Sequence, residues 1–116
     1  MSGEFLKRVL EDVADNLFHP DPYYQQGGDM VRSGGLQYAI APLAHAGSRI
    51  SELTLDGKPI DANETYKVAG WASVQQVEGE PIWEVVARWL RSQGRVQGVQ
   101  PNQPEVTGLQ NNQGIA

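Results

Sequence analysis

A chain of 116 residues, 40% of them hydrophobic, is one domain's worth of sequence and can bury a core without covalent staples. Nine basic against 14 acidic residues leave a net charge of −5, which opposes binding to phosphate backbones and to anionic membranes. The absence of cysteine excludes disulfides, thiolate metal sites and thiol nucleophiles, and no apolar run is long enough to span a bilayer.

In chain order, residues 2–17 read as an amphipathic helix. Phe5, Leu6, Val9, Leu10, Val13 and Leu17 recur at three- and four-residue spacing. Ser2 is placed to cap it, and Glu4 lies in the first turn, where the helix dipole favours an anion. Polar Ser2, Gly3 and Glu4 follow Met1 directly, with no apolar signal core. Lys7, Arg8, Glu11, Asp12 and Asp15 lie off the apolar stripe and read as solvated charge. A long connection follows over residues 18–35. Pro20 and Pro22 bar helix there, and Gly27 and Gly28 permit close backbone approach. Connections this long tend to carry function.

Strands are predicted at 36–41, at 49–55, at 58–60 after an Asp56-Gly57 hairpin turn, and at 66–71. Pro81 opens a second helix whose apolar stripe is Ile82, Val85, Val86, Trp89 and Leu90, and Gly94 fits the position past its end. Trp89 and Tyr66 fit core-facing positions. Residues 94–116 are rich in Gln, Asn, Gly and Pro, so the expected organisation is a domain over 1–93 and an extended or partly disordered tail. The resulting fold class is α+β, with a small mixed, mostly antiparallel sheet and two packed helices.

Candidate chemistry is thin. The two histidines, His19 and His45, show no metal-binding spacing, so metal ligands are expected to be absent. No nucleophile–base constellation is legible. Arg32, set among Gly27, Gly28, Gly34 and Gly35, can hold an oxyanion through its guanidinium fork or pair with Asp29. Tyr23, Tyr24 and Trp71 occupy loop or strand-end positions where a flat amphipathic ring meets a ligand or peptide. Tyr23, Tyr24, Asp29, Arg32 and Trp71 are therefore the candidate substrate or partner contacts, and no residue is a catalytic candidate. On residues alone a binding module without catalysis remains open.

Four stretches carry a resemblance. Ser2-Gly3-Glu4-Phe5-Leu6-Lys7 is similar to a helix start, and Glu11 through Arg32, with its His19-Pro20-Asp21-Pro22-Tyr23-Tyr24 core, is the most specific. Gly47-Ser48-Arg49-Ile50, Asp56-Gly57-Lys58-Pro59-Ile60 and Thr65 through Trp71 follow a more general pattern, and Asn111 through Ala116 is a similar ending. Together they resemble the C-terminal domain of the 5'-nucleotidase family, and within it the SoxB branch of thiosulfohydrolases. The resemblance implies an N-terminally truncated form of that domain from a periplasmic two-domain hydrolase. Such an enzyme carries two manganese ions in its other, N-terminal domain. It releases sulfate from a cysteine S-thiosulfonate on the carrier protein SoxYZ. This stretch would shape the substrate side and be inert by itself, with no nucleic-acid or membrane partner. A 5'-nucleotidase or UDP-sugar hydrolase is the rival within the family. Gln75 through Pro81 replaces the nucleotidase Gly-Gly-Asp-Gly-Tyr loop, which argues against it. A sheet lacking its first strands would leave an open edge, so self-association is expected.

Overall fold

The computed structural model describes residues 1–28, 30, 32–69, 78–98 and 100–109. Helix α1 spans Gly3–Phe18 and begins where the sequence places it: the Ser2 hydroxyl accepts the Phe5 N–H at 3.2 Å. The start of α1 is laced to the segment after the hairpin. The Gly3 N–H donates to the Glu64 carbonyl and the Glu4 N–H to the Ala62 carbonyl, both at 3.0 Å. This approach requires glycine, because a Cβ on Gly3 would run into the Asp61 carbonyl oxygen.

Strands β1 (Leu36–Ile40), β2 (Ile50–Leu55), β3 (Lys58–Pro59) and β4 (Glu105–Val106) form one sheet in the order β3-β2-β1-β4. The first three pair antiparallel, with Leu36 opposite Leu55 and Ile40 opposite Ile50. An irregularity between Gln37 and Ala39 shifts the register, and Glu52 on the facing strand takes φ +51°. Asp56 and Gly57 both have positive φ, +49° and +78°, as the Asp-Gly hairpin signal demands. The alternation of β1 and β2 turns Tyr38, Ile40 and Ile50 toward Leu10 and Ala14 of α1, and these residues are the core. Phe18, Met30, Leu36 and Leu53 pack around them.

The tail is partly built into the sheet. Residues Glu105 and Val106 run parallel to β1, beside Ala39 and Ile40. Asn102 and Ser33 exchange backbone hydrogen bonds, the Asn102 side-chain amide donates to the Leu36 carbonyl at 3.2 Å, and the Thr107 N–H donates to Ile40 at 2.8 Å. The sheet is thus mixed and mostly antiparallel, in an α+β fold.

Two sequence expectations are corrected. Residues 66–69 form no strand, while Gly70 and Trp71 lie outside the described residues. The reason is a competing partner: the Tyr66 N–H donates to the Met1 carbonyl at 2.7 Å, and the Met1 ammonium donates back to the Tyr66 carbonyl at 2.8 Å. Trp89 is no core residue. It lies on α2 (Ile82–Gln93), none of whose residues is buried, and is 46% exposed.

Candidate functional site

The candidate loop hangs from the C-terminal end of α1, and its root is a buried ionic clasp. Both Glu11 carboxylate oxygens accept backbone N–H groups at the start of β2, from Arg49 at 3.1 Å and Ile50 at 2.9 Å. The Arg49 side chain, 2% exposed, spreads its fork over three acceptors: Asp15 Oδ1 at 2.7 Å, the Phe18 carbonyl at 3.1 Å and the Pro42 carbonyl at 3.2 Å. The Phe18 carbonyl is an orphan acceptor of the last helical turn, where a cation also meets the negative end of the dipole. Glu11 and Asp15 are therefore not idle surface charge, as the helical pattern suggested. They fix where α1 ends and at what angle the chain leaves it.

From that root the loop is held by its own hydrogen bonds. The Asn16 carbonyl accepts the N–H groups of Gln26 at 2.9 Å and Gly27 at 3.3 Å, closing the loop back onto α1. The Gln25 side-chain amide donates to the His19 carbonyl at 2.7 Å. Asp21 Oδ1 caps the short 3₁₀ turn Pro22–Tyr24 by accepting the Tyr23 N–H at 3.0 Å, which is the turn role its side chain favours. The His19 Nδ1 lies 3.1 Å from the Asp21 N–H, and its ring tilts against Tyr24 with centroids 4.9 Å apart. This imidazole is used in shaping the loop.

The outcome is two aromatic rings displayed in solvent by a well-tied loop. Tyr23 is 96% exposed and Tyr24 65% exposed, and neither phenol has a hydrogen-bond partner among the described residues. Arg32, next to the Ser33–Asn102 bridge, is also exposed and has no ion pair among the described residues. Asp29 and Trp71 fall outside the described residues, so the loop unites Tyr23 and Tyr24, and leaves the other candidates unplaced or apart. Arg49 was missed as a candidate of any kind; its signal was an arginine directly before Ile50, the buried residue that opens β2, an expensive place for a charge without partners.

The described residues contain no group of three or more His, Asp or Glu able to hold a metal. His45 lies exposed in the turn between β1 and β2, remote in sequence from His19. The manganese chemistry implied by the resemblance does not fit these side chains, and no catalytic step is routed through them. No described helix is long and apolar enough to cross a membrane.

The model of the 5'-nucleotidase, C-terminal domain, family matches residues 1–88. Among solved structures, the chain is similar to the sulfate thiohydrolase SoxB of Termus thermophilus, in complex with glycerol, at 40% identity and a TM-score of 0.66. That match covers 97% of this chain and 22% of the SoxB chain, so the sequence spans about a fifth of its relative. No curated protein sequence matches.

Proposed function

Because the chain belongs to the 5'-nucleotidase C-terminal domain family, we propose that it acts as the substrate-side portion of a SoxB-type thiosulfohydrolase, contributing surface rather than catalytic groups. The observation that supports this most is the 40% identity to SoxB sustained over 97% of the chain. In this reading the larger portion of the enzyme supplies the two manganese ions, in the periplasm. Those ions, where bound in that portion, would supply the chemistry for releasing sulfate from a carrier cysteine S-thiosulfonate, and none of the described residues would take part in it.

The exposure of Tyr23 and Tyr24 supports a part for them at that surface. Displayed, pre-ordered aromatic rings bind a partner with little loss of side-chain freedom, which is the property of an anchoring contact. Tyr23 and Tyr24 are therefore assigned to grip the incoming carrier protein, SoxYZ, with Arg32 able to meet an anionic group.

The test uses the complete enzyme and thiosulfonate-loaded SoxYZ. Replacing Tyr23 and Tyr24 together by Ala should raise KM roughly tenfold or more, the scale of one lost anchor, with kcat little changed. The 116 residues with manganese alone should release no sulfate; sulfate release by them would sink the reading. An unchanged KM in the double variant would remove the tyrosines from the partner surface.

A further inference from the structure

The loop that displays Tyr23 and Tyr24 stands on a single turn of helix. It leaves α1 at Phe18 and comes back to the Asn16 carbonyl, which accepts the Gln26 and Gly27 N–H groups. Both feet of the loop therefore lie in residues 15–18, the last turn of α1. One side chain holds that turn from the side of the sheet. Arg49 Nη1 donates to Asp15 Oδ1 at 2.7 Å, Nη2 to the Phe18 carbonyl at 3.1 Å and Nε to the Pro42 carbonyl at 3.2 Å. Pro42 lies just past β1, where the Ala41 N–H donates to the Arg49 carbonyl at 2.8 Å, so the fork ties the turn to the sheet itself.

The rest of α1 does not depend on this fork. Glu11 accepts backbone N–H groups of residues 49 and 50, which do not need the arginine side chain, and Leu10 and Ala14 lie in the core. Nor would any cation serve. A lysine ammonium is a point charge, whereas three acceptors arranged around a planar guanidinium need its fork.

We propose that Arg49 is the positioning residue of the partner-gripping loop: by fixing the turn on which the loop stands, it sets where Tyr23 and Tyr24 are presented. The inference rests on the reading given under Proposed function, in which those rings grip the carrier. With the fork gone, the turn samples several exit directions, and apparent affinity falls in proportion to the fraction of molecules that still present the rings correctly.

The experiment uses the complete enzyme with thiosulfonate-loaded SoxYZ and builds a double-mutant cycle between Arg49→Lys and the joint Tyr23→Ala, Tyr24→Ala variant. Arg49→Lys should raise KM roughly threefold or more with kcat unchanged, and the Gln26 and Gly27 amides should exchange faster while those around Leu10 keep their protection. In the background without the tyrosines, the same substitution should change KM by less than about twofold, because nothing remains for it to position. If Arg49→Lys leaves KM unaltered, lowers kcat, or raises KM as much without the tyrosines as with them, Arg49 serves stability alone and the inference is overturned, while the tyrosine surface stands. If removing the tyrosines leaves KM unchanged, the partner surface and the inference fall together. Should Arg49→Lys not fold, Asp15→Asn, which keeps the acceptor oxygen and removes its charge, is read by the same criteria.

Discussion

Arg49 shows how one buried charge organises a loop some thirty residues away in sequence. Its fork and backbone N–H, together with the Ile50 N–H, meet Glu11, Asp15 and the carbonyls of Phe18 and Pro42. Removing its side chain leaves the Asp15 carboxylate and the Phe18 and Pro42 carbonyls without their partner, while the backbone N–H groups that Glu11 accepts remain. Arg49→Met should cost roughly 1–3 kcal/mol, the scale of lost charged hydrogen bonds, because the Asp15 left behind is 36% exposed and water can solvate it; the loss is read by chemical denaturation. Gly3→Ala is a different kind of loss. The added methyl meets the Asp61 carbonyl, which is backbone and cannot swing aside, so about 1–3 kcal/mol of overpacking is expected in the same assay. Tyr38 responds to alkali. Burial raises its pKa above the usual tyrosine value, so the folded state disfavours the phenolate. Stability is therefore whole below about pH 10, the ordinary tyrosine value, and declines as pH rises toward the folded-state pKa. Tyr38→Phe should flatten that decline in unfolding curves recorded across the alkaline range.

Among the elements, β4 was the least legible in sequence and has the clearest structural task. Two residues of Glu and Val in a Gln- and Pro-rich stretch carry no alternation to read, and parallel pairing leaves no hairpin signal. Yet β4 and its neighbours Asn102 and Thr107 satisfy carbonyl groups along the outer side of β1. Cutting the chain after Gln100 should bare that edge and produce concentration-dependent association in light scattering, which full-length chains should show less. By contrast α1, its Ser2 cap and the Asp56-Gly57 turn were readable, because each is decided within a few residues. Over 66–69, the described part of the expected 66–71 strand, the reading failed for the opposite reason. Strand propensity is settled by whichever backbone is nearest, and for Tyr66 that is Met1. The candidate loop was located by its prolines, glycines and tyrosines. The clasp that shapes it was not, because Glu11 and Asp15 meet Arg49 only once the helix lies on the sheet.

At the scale of the whole molecule, cohesion is uneven. The core gathers α1 and the β1–β2 pair, whereas α2 contributes no buried residue. Amides of α1 from Leu10 to Phe18 and of β1 should exchange only on global unfolding, and amides of α2 should exchange orders of magnitude faster in the chain alone. Uniform protection across both helices would contradict this. The same unevenness explains why the apolar stripe of the second helix misassigned Trp89 to the core. The helical period marks an apolar face, and periodicity carries no information on what that face meets.

The pairing of Asn102 and Glu105 with the 33–40 region also sets an order on assembly during translation. Strand β1 leaves the ribosome long before its final neighbour is made, and about a dozen amino acids per second, within the usual 5–20, separates the two by several seconds. Throughout that interval a nascent chain presents an unfinished strand border to whatever surrounds it, so early chaperone shielding of this border should govern how much polypeptide is recovered in soluble form.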